Sequence, residues 1–341
     1  MKKIFLVFLL FPLLLTAINY VPNEIIVQTT VAREIERGSL GISGLDSYLN
    51  NYKVKKITPV LPKKDNTFYV ISLDKQPNLE ELSNLRFDGV RNIQPNFLNR
   101  FSLEPNDPNY QAQSIHFQNI NLPQTWNYTT GNKEILVAIV DSGIHFDHPD
   151  LQANIFYNEN EIPDDGIDND GNGYIDDYRG WDFVDAPELG DIGIGDFTEQ
   201  DNDPTDEINH GTHIAGIIGA VTNNNIGVAG AVWNTKLLPI RSGFASTLGG
   251  YLQDDDAAAG IIYAADMGAE VINLSWGDLS YSAIIAYAVN YAYEKGSIVV
   301  CAAGNEGSSS EHPITYPARL ANTISVGAVT ANKELASFSS Y

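Results

Sequence analysis

The chain has 341 residues, 43% of them hydrophobic, a net charge of −23 and one cysteine. That length buries a large core and allows more than one folded unit. The acidity argues against nucleic acid as a partner, because phosphate binding needs basic surface, and a lone thiol excludes an intrachain disulfide.

Met1-Lys-Lys is followed by an apolar run to Leu15, and this predicts a secretory signal peptide over residues 1–19. The run falls short of the ~20 residues of a membrane span. No second long apolar run follows, so a soluble product with no stable membrane association is expected after cleavage. Export without disulfides calls for another stabiliser. Residues 20–103 read as a small α+β unit. Asn23–Gln28, Thr67–Leu73 and Gly89–Phe97 have the β-branched and aromatic content of strands, and Leu79–Leu85 has helical spacing. Pro105-Asn-Asp-Pro108 marks a turn-rich boundary. Charge divides near the same place: residues 1–104 carry +3 and residues 105–341 carry −26.

From 104 onward, strands and helices alternate. Ile135–Val140, Leu237–Arg241, Val271–Ser275, Ser297–Ala302 and Thr323–Ala328 are predicted strands. His210–Val221, Asp254–Met267 and Tyr281–Glu294 are predicted helices. The implied fold class is α/β, a parallel sheet with helices on both faces and functional groups at the carboxyl ends of its strands. Residues 159–207 hold 18 acids against one base, Arg179, and predict a long surface insertion or a disordered stretch.

Three islands carry chemistry. Asp141 directly follows four apolar residues; taken alone it reads as a capping or turn aspartate. His210 opens a small-residue helix, Gly211-Thr-His-Ile-Ala-Gly216, in which His213 reads as a packed core residue. Asn305 stands in Ala302-Ala-Gly-Asn-Glu-Gly307, where a side-chain amide on a Gly-flanked turn can donate to an oxyanion; the plainer reading is a turn asparagine. Cys301 reads as a packed core cysteine, having no positioned base.

Taken together, in the order Asp…His…Asn, these islands resemble the subtilisin-like serine proteases, whose triad order is Asp…His…Ser. Asp141-Ser-Gly-Ile…Asp147-His-Pro-Asp-Leu151 is similar to the family's aspartate motif, and Asn209-His210-Gly-Thr-His-Ile-Ala-Gly to its histidine motif. Asn223–Gly230, Ser275-Trp-Gly277, Ala303-Gly-Asn305, Tyr316-Pro-Ala and Ile324-Ser-Val-Gly-Ala resemble further family segments, so the likeness spans about 105–341. The resemblance implies a subtilisin-like fold with His210 as general base, Asp141 as its orienting acid and Asn305 as the oxyanion donor. It also implies polypeptide substrates added as a strand beside Leu274, Ser275, Trp276 and Gly277, with Ala303 and Gly304 completing the site. Residues 20–103 resemble the family's inhibitory propeptide, which would act in cis and be cut near 100–105.

The family's nucleophile lies in a Gly-Thr-Ser motif, and no Gly-Thr-Ser occurs here. The expectation is a fragment of a longer precursor, inactive as written. The alternative is a non-catalytic secreted calcium-binding or structural module on the same fold. Nucleotide binding is disfavoured, since no Gly-x-Gly-x-x-Gly follows a strand.

Calcium is the expected cofactor. Asp168, Asp170 and Asn172 place oxygen ligands at positions 1, 3 and 5 of a loop with Gly173 at position 6, the front half of an EF-hand. Position 12 is Arg179 rather than Glu, so Asp164, Asp176 or Asp177 would have to complete the cage. The family resemblance implies a second site from Asp107, Asp150, the Asn224 side chain and the carbonyls of Val221, Ile226 and Val228.

Overall fold

The computed structural model describes residues 20–341 other than 37, 62–66, 83, 99–102, 190, 191, 308, 310 and 312. The predicted signal peptide lies outside the described residues. The chain divides into two compact units, Met1–Phe101 and Ser102–Tyr341.

The first unit runs β1 (Tyr20–Thr29), α1 (Ser43–Asn50), β2 (Val54–Pro59), β3 (Phe68–Leu73), α2 (Leu79–Leu82) and β4 (Val90–Phe97). Its four strands form an antiparallel sheet in the order β2-β3-β1-β4. Alternation buries Ile25 and Val27 of β1 with Tyr69, Ile71 and Leu73 of β3. Leu45 and Leu49, one helical turn apart on α1, join the same core. The sequence reading missed α1 and β2. Both carry weak signals: α1 buries two residues, and β2 is an edge strand whose one buried side chain is Ile57.

The second unit runs α3 (Tyr110–Asn119), α4 (Leu122–Thr125), β5 (Gly131–Asp141), β6 (Trp181–Asp182), β7 (Gly193–Ile194), α5 (His210–Gly219), β8 (Asn234–Arg241), β9 (Gly243–Ser246), β10 (Gly249–Leu252), α6 (Asp254–Asp266), β11 (Val271–Leu274), α7 (Ala283–Lys295), β12 (Ile298–Ala302) and β13 (Thr323–Val326). Six strands form one sheet in the order β13-β12-β11-β5-β8-β6, and every pair is parallel.

β5 shows why both faces are covered. Val137 and Ile139 pack with Ala215 of α5 on one face, while Leu136, Ala138 and Val140 pack with the Ala-rich helices α6 and α7 on the other. Each fully buried aliphatic side chain there contributes on the order of 1.5–3 kcal/mol. At Gly260 of α6 a Cβ would stand 2.9 Å from Ile240 Cγ2 and 3.1 Å from Val140 Cγ1, so glycine lets the helix lie close on the sheet. Cys301 lies in this core, and burial pushes its thiol up to about 12.

Residues 159–207 are folded over most of their length, with two short strands, β6 and β7, set among turns. Their interior anchor is Asp182, fully buried and ion-paired with Arg241 of β8.

Candidate active site

The sheet register sets the site. Ile139 of β5 lies opposite Asn273 of β11, and Leu274 lies opposite Cys301 of β12. Asp141, the segment after Leu274 and the turn after Ala302 therefore leave the sheet at one edge, the carboxyl end of three adjacent strands. Neighbouring strands lie ~4.8 Å apart, so the three exits fall within about 10 Å.

Asp141 ends β5 and is 4% exposed. His210 is the first residue of α5, and its Nδ1 lies 2.7 Å from Asp141 Oδ1. The Ser142 N–H donates to the same oxygen at 2.7 Å. The helix approaches this closely because residue 211 is glycine: a Cβ there would meet the Gly143 carbonyl oxygen at 2.1 Å. The hydrogen bond to Asp141 raises the imidazole above its ordinary range; burial opposes this, and the charges of Asp141 and Asp206 reinforce it. The His210 side chain remains about half exposed, at 49%. With Nδ1 engaged, Nε2 is the nitrogen free for proton transfer.

A cavity of about 280 Å³ opens on this pair, lined also by Ile208, Tyr251, Leu252, Ser275 and Trp276. The Trp276 indole N–H donates to the Val140 carbonyl at 2.8 Å, fixing the ring as one wall. Gly277 has no room for a side chain, since a Cβ would meet Thr315 Oγ1 at 2.5 Å. Asp278 and Tyr316 exchange two backbone hydrogen bonds, of 3.0 and 2.7 Å, which pin the end of the segment. Leu274 points into the core with 0% exposure and is no part of the cavity lining. The sequence reading missed Ile208, Tyr251 and Leu252. Gly249 and Gly250 lie inside β10, which joins β9 through the two-residue connection 247–248 and forms the edge of a small antiparallel sheet, β10-β9-β7.

Asn305 follows Gly304, whose φ of +114° calls for glycine. Its side chain is exposed. Ala303 is buried, with its N–H on the Val326 carbonyl and its carbonyl taking the Thr315 N–H. The Asn305 turn is braced from the far end of the chain. Ser340 N–H donates to the Gly304 carbonyl at 3.0 Å, and Ser340 Oγ accepts from Glu306 N–H at 3.1 Å.

His213 corrects a sequence expectation. It is exposed and lines a groove between α3 and α5, because the inward stripe of α5 is Gly211, Ala215 and Gly219.

A family model, Peptidase_S8 or Subtilase family, matches residues 132–341. Thermophilic serine proteinase of Bacillus sp. (strain AK1) is 36% identical over 324 residues, covering 94% of this chain and 68% of that protein. Thermitase of Thermoactinomyces vulgaris is 36% identical over 237 residues, 70% of each. Among solved structures, a protease from Pseudoalteromonas arctica superimposes with a TM-score of 0.54 at 30% identity, over 70% of this chain and 69% of that one. The chain belongs to the subtilase family. Subtilases are serine endopeptidases, and the α/β sheet with its two helical layers is the fold they share.

Among the described residues of this subtilase the acids form three knots, and the one of Glu161, Asp168 and Asp170 gathers carboxylates in a way that could hold a hard, oxygen-loving cation. Glu161, Asp168 and Asp170 each present a carboxylate oxygen, all within 4.8 Å of one another. Glu161 was missed by the sequence reading; Asp164 and Asp176 stand outside this trio, whereas Asn172 touches it, its Nδ2 lying 3.3 Å from Asp170 Oδ2. Asp164 is exposed, Asn172 bonds Asp177 Oδ2 at 2.9 Å, and both Asp176 oxygens take the N–H groups of Asp165 and Gly166. The second knot joins Asp107 and Asp150, both buried, with Asn224. Asp150 Oδ1 accepts from Asn224 Nδ2 at 2.8 Å and Oδ2 from the Val228 N–H at 2.8 Å, while Asp107 takes the N–H groups of Asn223 and Asn224. Val221 and Ile226 belong to the same loop: Val221 N–H donates to the Asp150 carbonyl and Ile226 N–H to Asn224 Oδ1. The third knot, Asp182, Asp196 and Asp201, suits a metal ion less well. The Arg241 guanidinium already supplies its positive charge, bonding Asp182, the Asp196 carbonyl and Glu207.

Proposed function

We propose that the chain is the precursor form of an exported, calcium-stabilised serine endopeptidase acting on polypeptides, with Asp141 and His210 as its acid–base pair. The 2.7 Å contact between a buried carboxylate and a half-exposed imidazole carries this reading. In acyl transfer His210 Nε2 takes the proton of the attacking hydroxyl and returns it to the leaving amine. Asp141 fixes the tautomer with Nδ1–H and stabilises the imidazolium. The Asn305 amide donates to the tetrahedral oxyanion. A peptide lies extended between Ser275–Gly277 and the β10 edge, held through its main chain.

The nucleophile is assigned to none of the described serines. Ser339 and Ser340 are each 1% exposed, and their hydroxyls accept from the N–H groups of Ala328 and Glu306. Absence of the serine costs about a million-fold in such enzymes, so the 341-residue chain is expected to be inactive. The Glu161–Asp168–Asp170 and Asp107–Asp150–Asn224 knots would hold calcium as a structural cation. The first unit is the inhibitory propeptide in this reading. Support comes from its own hydrophobic core and from the 94% of the chain aligned with a thermophilic proteinase.

The ionisation of His210 is the test. Followed by NMR on the 341-residue chain, its pKa is expected above the ordinary histidine value and should fall in Asp141→Asn. An imidazole indifferent to that change would refute the acid–base assignment. Peptide hydrolysis by the same chain would place the nucleophile among its own serines.

A further inference from the structure

The start of α5 is capped from outside itself. Its N-cap residue, Asn209, has φ +67° and makes no side-chain cap bond. Its Oδ1 instead meets His145 Nε2 at 3.1 Å. The amides at the head of the helix are satisfied by two other residues. Gly211 N–H donates to Ser142 Oγ at 3.0 Å and Thr212 N–H to Asp206 Oδ2 at 2.9 Å.

Asp206 is the hub of this arrangement. It is 1% exposed, stands four residues before His210 and accepts five hydrogen bonds. Oδ1 takes Ser142 Oγ–H and the N–H groups of Ile208 and Asn209, each at 2.8 Å. Oδ2 takes the Thr212 N–H at 2.9 Å and Thr212 Oγ–H at 2.6 Å. Both hydroxyls are committed as donors to the carboxylate, because each accepts elsewhere: Ser142 Oγ from Gly211 N–H, and Thr212 Oγ1 from His145 N–H at 3.0 Å. One carboxylate thus grips the residue after Asp141, the residue before His210 and Thr212 two residues beyond it. Its negative charge also suits the positive end of the helix.

We propose that Asp206 is a positioning residue for the catalytic pair, locking the head of α5 to the end of β5 so that His210 Nδ1 meets Asp141. The inference rests on the reading of Asp141 and His210 as acid and base. Asparagine at 206 matches the shape and reverses the chemistry. Its NH₂ would face at least two donors whichever way the amide turned.

The test uses the 341-residue chain and the downfield Nδ1 proton of His210, assigned by its loss in His210→Ala. In Asp206→Asn this resonance is expected to disappear or shift, and the His210 pKa to fall. Ser142→Ala and Thr212→Val keep the carboxylate charge, and each removes one bond to Asp206 together with the bond its hydroxyl accepts from a backbone N–H, so they report geometry without a change of charge; both are expected to move the resonance less, in the same direction. A residue that merely stabilises the fold would lower the melting temperature and leave the resonance in place. Folded Asp206→Asn with an unchanged resonance overturns the proposal. If that variant does not fold, an unchanged resonance in both hydroxyl variants overturns it equally. The acid–base reading fails separately, through Asp141→Asn.

Discussion

The rim that holds Asp141, His210 and Asn305 and the acidic stretch from 159 to 207 are built on opposite principles. At the rim, parallel strands of fixed register carry the side chains to one edge, and close packing at Gly211 sets the helix against them. In the acidic stretch, carboxylates cap turns, and most of their partners are backbone N–H groups a few residues away. Geometry fixed by a sheet tolerates almost no displacement. Geometry fixed by local turns leaves charge gathered but unbalanced, and a cation is its natural complement.

The largest expected effect falls on the acidic side. If calcium balances these knots, a cation at a thousand times its Kd contributes about 4 kcal/mol. At ~2–4 °C per kcal/mol for a domain of this size, chelation with EDTA should lower Tm by about 10 °C. A calorimetric scan unmoved by EDTA would remove calcium from the account.

Gly211→Ala probes the rim. The added methyl would stand 2.1 Å from a backbone oxygen, so the helix must retreat from β5. The expected cost is about 1–3 kcal/mol, read as a lower denaturant midpoint together with weakening of the Asp141–His210 contact. A midpoint equal to wild type would show that α5 slides freely, contrary to the packing described.

Within the acidic stretch, Asp168→Asn should weaken calcium binding by about tenfold, since charge count tunes such sites. Asp164→Asn should leave it unchanged. Calorimetric titration distinguishes them, and an Asp168→Asn variant that bound calcium as tightly as wild type would remove Asp168 from the site.

The smallest effect is the pH dependence contributed by His210. Its pKa is raised in the folded chain. The stabilisation from its partner is therefore full below the unfolded value near 6.5 and fades as pH rises through the folded value. Half exposure keeps it small. A contribution that grew with pH across this window, measured against His210→Ala, would contradict the sign.

The parallel sheet and the positions of Asp141 and His210 at its carboxyl edge were legible because motif and periodicity coincided: an apolar strand ended in the aspartate, and a small-residue helix began with the histidine. Glu161 was not legible. It lies seven residues before Asp168, outside any fixed spacing, and joins the knot only because the 158–177 loops fold back, with its carboxylate holding the N–H groups of Asn169 and Asp170. His213 was misread because the helix phase that buries Gly211 and Ala215 turns it outward.

Sequence alone determined which strands are apolar on both faces, where small residues open a helix and which residue types with proton-transfer chemistry stand at the element ends, since these follow from side-chain type and local order. Tertiary structure decided which carboxylates meet: Glu161 with Asp168, Asp182 with Arg241, and Asp206 with Ser142 and Thr212. Such pairings depend on the chain folding back on itself, over six or seven residues for Glu161–Asp168 and Asp206–Thr212 and over about sixty for Asp182–Arg241 and Asp206–Ser142, and no local period in the chain encodes them.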